Sequence, residues 1–583
     1  MIRDEILKSI AKATGKLVSE LRLNVPEVAK FGDYTSNVAL SSEMRSKGNP
    51  REVAEKIVSE LGTLDNIEKV EIAGAGFINF FLSKEALKKE IGVAIKEDVN
   101  YGRSDWGKNK RWLLEHTSAN PNKALHLGHL RNNVTGMAIG NLWEAIGIEV
   151  VRDYIVNDRG IAMARLMWGF LKFARKDGAT DNTDLAYWHD HQDEWHTPEM
   201  KGVRADRFVD ELYVLGAKDC ENVFIDERVR QMVVDWESEE PKNRALWKLV
   251  FSFSWKGQMA TLERLGSKTD HFWYEHEHYQ DGKKYVEEGL KKGIFKKLED
   301  GAVLTNLAQF GIPDTILLKT DGTSLYITQD IALVARKRAK FGPERMFWVV
   351  GNEQSLALEQ VFAVCDQLGV GKKSDYEHLT YGYMRLKGVG KMSSREGNVL
   401  YIDELIDDAK ATLREKIPED KMKALDDGEA LEKIALGALK YSILRTGRTT
   451  STTFDFDSSL SFEGDSGPYI QYAYARAKSL LRKGKESGMV PVVGDGELCD
   501  SVARKLVHFP EIVLDAALAY EPNTLSQYLL SLSQELNAYY AETKIIDLED
   551  KTGTQTKLAQ ILAVSNVLKN GLTILGIPVL EKM

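Results

Sequence analysis

The chain is poor in cysteine, in net positive charge and in long apolar runs, and each shortage removes a class of function. Its three cysteines, Cys220, Cys365 and Cys499, stand more than a hundred residues apart. That spacing matches neither a CxxC metal motif nor a disulfide framework, so buried free thiols and no structural metal are expected. No apolar run approaches the roughly 20 residues that a membrane helix requires, and no membrane span is expected. The opening MIRDEILKSIAKATGK is amphipathic and charged, without the compact apolar segment and small-residue cleavage site of a secretory signal; the expected location is the cytoplasm. A net charge of -9 gives no global basic footprint for nucleic acid, so any RNA-binding surface must be local. Neither a solenoid-period repeat nor a low-complexity tract is found.

What is present is a long globular composition: 583 residues, 43% hydrophobic and 28% charged. Length alone implies about two to four folded units. The first stretch, 1–100, reads as a small α+β domain. Asn49-Pro50-Arg51-Glu52 supplies an N-cap, a proline at the first helical position and a glutamate at N3. Behind it Val53, Ala54, Ile57, Val58 and Leu61 form a helical stripe. VEIAGAGFINFFLS then reads as two strands joined at Gly74-Ala75-Gly76.

From Arg111 short apolar runs alternate with helical patterns, the mark of a parallel α/β sheet. WLLEH at 112–116 is a predicted strand, followed by the loop TSANPNKALHLGH and a helix through Met137, Ala138, Leu142 and Ile146. MFWVV at 346–350 and the helical LEQVFAVCDQLG repeat the pattern. Residues around 165–300 take no clear sheet position and read as an insertion. Beyond about 400 the chain reads as helical. Thr524 and Gln527 suggest a capping box, and a last helix runs through Leu558, Ile561, Leu562, Leu568, Leu572 and Leu575 to a stop at Gly576 and Pro578.

Two short motifs carry chemistry. His126-Leu127-Gly128-His129 falls between a predicted strand and a predicted helix, where backbone N–H groups and the helix dipole favour an anion. Gly128 allows close backbone approach to a nucleotide, and the two imidazoles can donate to phosphate oxygens. A histidine pair beside a loop is as often a cap or a surface feature. Far downstream, Lys391-Met392-Ser393-Ser394-Arg395 offers a lysine, hydroxyls and an arginine to a polyphosphate leaving group; alone it reads as a solvated turn.

Together, on either side of an interrupted α/β region, HLGH and KMSSR resemble the paired signatures of class I aminoacyl-tRNA synthetases. EHTSANPNKALHLGHLRNN, VNDRGIAMARL, DGTSLYITQDIA, KMSSREGNVLYIDEL and FDFDSSLSFEGDSGPYIQYAYAR resemble the arginine-specific family within that class, as do GDYTSNVAL near the start and GLTILGIPVLEKM at the end. The resemblance implies a multidomain α/β chain. Residues 1–100 would form a tRNA-contacting α+β domain. Residues 101–405 would form a Rossmann-type parallel-sheet catalytic domain with its insertion near 165–300, and residues 406–583 a helical linker and anticodon-binding bundle. It implies ATP with Mg2+ as a substrate complex, L-arginine and tRNA-Arg as partners, no membrane, and a monomer.

By the same resemblance His126, His129 and Lys391 serve catalysis, and His126, Gly128, His129, Lys391, Met392 and Ser393 hold ATP. Glu115, Asn120, Tyr326, Asp330 and Gln354 surround arginine, whose planar, permanently charged fork requires acceptors. Tyr469, Tyr472, Tyr474 and Arg476 are candidate tRNA contacts, although tyrosines so spaced are more often helix packing. Three positions depart from the family pattern: Ala119 where proline is common, Ser355 where an aromatic or histidine is common, and Glu396 where a basic residue is common. Two other readings are weighed. A class I synthetase for another amino acid would not keep the Glu115, Asp330 and Gln354 set, and a non-catalytic tRNA-binding relative would have lost signature residues. The family commonly activates arginine only with tRNA bound, and the same is expected here.

Overall fold

Trp112, Leu113 and Leu114 are buried on both faces, as a strand central to a parallel sheet must be. A computed structural model describes residues 1–583 apart from 27, 47, 324, 389–398 and 419–426. The chain divides into two compact units. One is Asp105–Pro418 with Ile434–Leu460; the other joins Met1–Ser104 to Ser461–Met583, with a short stretch ending at Lys433.

The first of these holds a five-stranded sheet. Its strands are β1 (Arg111–Glu115), β2 (Glu149–Val156), β3 (His271–Tyr274), β4 (Arg345–Val349) and β5 (Tyr376–Leu379), in the order β5-β4-β1-β2-β3, every neighbouring pair parallel. From β1 the chain steps outward to β2 and β3, then returns to build β4 and β5 on the other side. The connections therefore diverge at β1 and β4, which opens a crevice at their C-terminal ends. Helix α1 (Leu127–Ala145) covers one face, where Trp143 meets Trp112 at 4.9 Å and Phe347 at 4.5 Å between ring centroids. Helices α2 (Tyr326–Phe341) and α3 (Ser355–Leu368) cover the other, packing Ile331, Val334, Val361 and Phe362 on Leu113, Met346 and Trp348. Gly342 and Gly369 end these two helices in the left-handed conformation.

The insertion read near 165–300 is a helical layer from Ile161–Phe173 to Pro241–Arg264. Its C-terminal part differs from the sequence reading, because His271–Tyr274 is the edge strand of the main sheet. Only four residues long and mostly aromatic, it carries too little alternation to mark it as a strand.

In the other unit, strands Tyr34–Ser36, Ile67–Ala73 and Phe77–Leu82 form an antiparallel sheet with Phe77–Leu82 central. The predicted helix spans Pro50–Glu60, and the Asn49 side chain accepts from Arg51 N at 3.0 Å. Five helices from Gly467–Glu486 to Lys551–Ile574 complete the unit. Tyr34 donates to Glu511 at 2.8 Å, and Asn570 donates to the carbonyl of Tyr101 at 3.0 Å, so the N- and C-terminal segments share one core. The capping box read at Thr524 and Gln527 is not where the helix starts. Pro522 occupies its first position, and Thr524 lies inside the first turn.

Gly76 turns the hairpin at φ 130°, and a Cβ there would come within 2.7 Å of the Pro50 carbonyl oxygen. Gly76→Ala is expected to lower stability by about 1–3 kcal/mol in urea denaturation of the full chain; an unchanged midpoint would contradict this packing.

Candidate active site

At the switch point between β1 and β4 lies a cleft of about 440 Å³. All five side chains assigned to arginine line it: Glu115 at the end of β1, Asn120 in the loop beyond, Tyr326 and Asp330 on the first turns of α2, and Gln354 before α3. Asn120, Tyr326 and Gln354 are exposed at its mouth, while Glu115 is buried.

Sequence reading missed the group that organises this cleft. Lys337, seven residues after Asp330 and on the same face of α2, is fully buried and donates to Glu115 at 2.6 Å; it also pairs with Asp153 of β2 at 2.8 Å. Burial opposes its charge, but Asp153 and Glu115 outweigh burial and hold the ammonium above its usual range. Trp273 Nε1 donates to Asp153 at 2.9 Å, fixing the carboxylate from the far strand. A lysine within the apolar stripe of Ile331, Val334 and Lys337, and an aspartate inside the apolar EVVRDYIV, were the available signals.

The cations are oversubscribed. Arg159 lies 3.4 Å from Glu275, a cleft residue, but also pairs with Glu237. Burial pushes Glu275 up to about 7 despite Arg159. Burial, then the charges of Glu115 and Glu275, push Asp330 up to about 7, with Lys337 opposing. Asp330 takes no ion pair among the described residues. The cleft thus holds more acid than its own lysine and arginine can neutralise.

The histidines stand apart from this cavity, at the first turn of α1. His126 is the N-cap; its Nδ1 accepts from Gly128 N at 3.1 Å, and His129 Nδ1 accepts from His126 N at 3.1 Å. The rings stack with centroids 3.9 Å apart. Because both Nδ1 atoms accept, the neutral rings carry hydrogen on Nε2. Burial, with Lys123 nearby, pulls His126 down to about 4, and burial with His126 pulls His129 well below its usual range. Both are therefore neutral donors at pH 7. A Cβ on Gly128 would meet the His126 ring at 3.1 Å, so this glycine first makes room for its neighbour's imidazole.

Leu127 N donates to Leu400 O at 2.9 Å, and Ile402 N donates to Leu125 O at 3.1 Å, which ties the HLGH segment to the chain just after 389–398. Arg131, one turn on, donates to the carbonyls of Tyr383, Arg448 and Thr450. Lys391, Met392, Ser393 and Glu396 lie outside the described residues. The departure at Ala119 acquires a reason: its N–H donates to the Tyr154 hydroxyl at 2.9 Å, a bond proline cannot make. Ser355 Oγ donates to the Asn352 carbonyl at 2.8 Å, closing the turn into α3.

Among the candidate tRNA contacts, Tyr474 is corrected: it is 1% exposed and packs in the core of its unit. Tyr469, Tyr472 and Arg476 remain partly exposed. Arg476 donates to Asn537 at 2.6 Å and lies 4.8 and 5.0 Å from the ring centroids of Tyr472 and Tyr540.

Family models match along the chain. The model "tRNA synthetases class I (R), catalytic domain" covers residues 90–456, which include the cleft and both histidines, and so defines a class I aminoacyl-tRNA synthetase. "Arginyl tRNA synthetase N terminal domain" covers 1–82 and "DALR anticodon binding domain" 470–583. The arginine–tRNA ligase of Treponema denticola is 33% identical, over 97% of this chain and 95% of its own. That of Bacteroides fragilis is 32% identical over 100% of both. The solved arginyl-tRNA synthetase of Thermus thermophilus superposes with a TM-score of 0.81 at 26% identity, over 100% of both chains. The chain belongs to the arginyl-tRNA synthetase family.

Lys337→Met is expected to strand Glu115 and Asp153 without a counter-charge and to cost about 3–5 kcal/mol in chemical denaturation. Unchanged stability would mean that the carboxylates find another partner.

Proposed function

We propose that the acid-rich cleft is the arginine site, with the adenylate formed between it and the start of α1. The reaction is that of the family: ATP, L-arginine and tRNA-Arg give L-arginyl-tRNA-Arg, AMP and diphosphate. The observation that carries the assignment is the uncompensated acid around Asp330, which calls for a ligand that brings its own buried positive charge. A guanidinium fits, since it is always charged and offers five donors in one plane. Glu115 and Asp330 face that plane; Asn120, Tyr326 and Gln354 take the polar atoms nearer the mouth.

Arginine's carboxylate attacks the α-phosphate of ATP, which enters as its Mg2+ complex, and pyrophosphate leaves. No protein nucleophile is needed. Positioning and electrostatics suffice, with the Nε2–H groups of His126 and His129 donating to the transferring phosphate, and Lys391 with Met392 and Ser393 holding the departing pyrophosphate. A hydroxyl of the tRNA's terminal adenosine then attacks the adenylate, giving the ester. Unpaired anticodon bases stack on Tyr472 and Tyr540, with Arg476 between the two rings, and Tyr469, three residues before Tyr472 on the same helix, is a further contact. The enzyme works as a monomer in the cytoplasm, where ATP and tRNA are at hand.

Arginine-dependent ATP–pyrophosphate exchange, with and without tRNA, tests this. With its carboxyl raised to about 7, Asp330 is mostly protonated below that pH, and a bound guanidinium favours its ionised form. Binding at pH 7 should therefore release about half a proton from Asp330, and the KM for arginine should rise as pH falls below 7, by up to roughly tenfold per unit. Asp330→Asn should remove most of the activity and reduce both effects to the part that Glu275, also raised to about 7, contributes. A KM for arginine independent of pH, with no proton released, would count against the assignment.

A further inference from the structure

Between Glu115 and Asn120 the backbone makes a turn that the residue types do not favour. Ser118 N donates to His116 O at 3.0 Å, closing a three-residue turn around Thr117 at φ 73°, and Ser118 follows at φ 38°. Such turns are rare and strained, and a β-branched residue at positive φ is an outlier. Something must hold it there.

The holding groups come from α1. Asn132 Oδ1 accepts from Thr117 N at 2.7 Å, while its Nδ2 donates to Val349 O at 2.9 Å, joining the ends of β1 and β4. Asn133 Nδ2 donates to Thr117 Oγ1 at 3.1 Å and to Ser267 Oγ at 2.8 Å. Thr117 Oγ1, accepting from Asn133, in turn meets His116 Nδ1 at 2.8 Å. Asn133 is 1% exposed and Thr117 5%. The outcome of the turn is placement: Ser118 Oγ donates to Glu115 at 3.3 Å and accepts from Ile155 N at 3.0 Å. Asn132 and Thr117 border the cleft, whereas Asn133 does not.

We propose that Asn133 is a positioning residue for amino-acid recognition: by holding Thr117 in its left-handed conformation it sets Glu115 and Asn120 at either end of the turn, without itself touching arginine. The proposal rests on the reading that Glu115 belongs to the arginine site. Its distinctive consequence is rescue by glycine, which adopts positive φ at no steric cost and so removes the need for the anchor.

The experiment is pyrophosphate exchange by the full chain with tRNA, measuring KM for arginine and for ATP in a double-mutant cycle of Asn133→Ala and Thr117→Gly, with Asp330→Asn as reference. Asn133→Ala should raise the KM for arginine by roughly tenfold and leave that for ATP unchanged. Adding Thr117→Gly should bring it back to within about threefold of Thr117→Gly alone. The proposal is overturned if both KM values rise together, if glycine gives no rescue, or if Asn133→Ala has no effect while Asp330→Asn does. Should Asp330→Asn leave the KM for arginine unchanged, the site assignment itself fails. If Asn133→Ala does not fold, Asn133→Ser, which keeps a shorter donor, is read by the same criteria.

Discussion

Lys337 carries one positive charge and faces two buried carboxylates, and the rest of the cleft follows from that shortfall. Shared between Glu115 at 2.6 Å and Asp153 at 2.8 Å, it stabilises the pair and only partly offsets what burial, Glu115 and Glu275 do to Asp330. Arg159 is similarly divided between Glu275 and Glu237. Acids drawn away from water in this condition shift upward, as half-buried Asp330 and buried Glu275 do. Under the proposed assignment a cationic ligand would supply the missing charge, and selectivity would be built into the protein's own ion pairs before any substrate enters.

Topology decides where this charge sits. The order β5-β4-β1-β2-β3 puts the divergence at β1 and β4, and the acids lie on the α2 and α3 side of the strand ends. The neutral histidines sit at the start of α1, which covers the opposite face, and the next turn of that helix reaches back to the strand ends through Asn132. One helix thus joins the group assigned to phosphate to the loop that follows Glu115. The neutral state of the imidazoles suits that assignment, since a donor that does not titrate near pH 7 keeps its role across the working range.

The catalytic half was legible to the extent that its residues sit in contiguous motifs. Strand β1, helix α1 and strand β4 followed from apolar runs and periodicity, and the five residues that the motifs assigned to arginine converge on one cleft. Lys337 and Asp153 were overlooked because each is a single charge inside an otherwise apolar element, and pattern reading treats such a charge as noise until a partner is found across the sheet. Strand β3 was hidden by its brevity. Tyr474 could not be told from Tyr472 by sequence, since two residues apart on a helix place side chains on different faces and only the bundle decides which is inward. The left-handed Thr117 was invisible for a plainer reason: its side chain argues against it, and the asparagines that impose it are fifteen or so residues away along the chain.

The most direct measurement compares L-arginine with L-citrulline, its neutral near-isostere, in pyrophosphate exchange with tRNA present. If uncompensated acid selects the ligand, citrulline should be disfavoured by on the order of 10⁴-fold in kcat/KM, because it leaves Asp330 and Glu115 facing a group without charge. Comparable activation of the two would show that shape, not charge, governs the cleft, and would contradict the account.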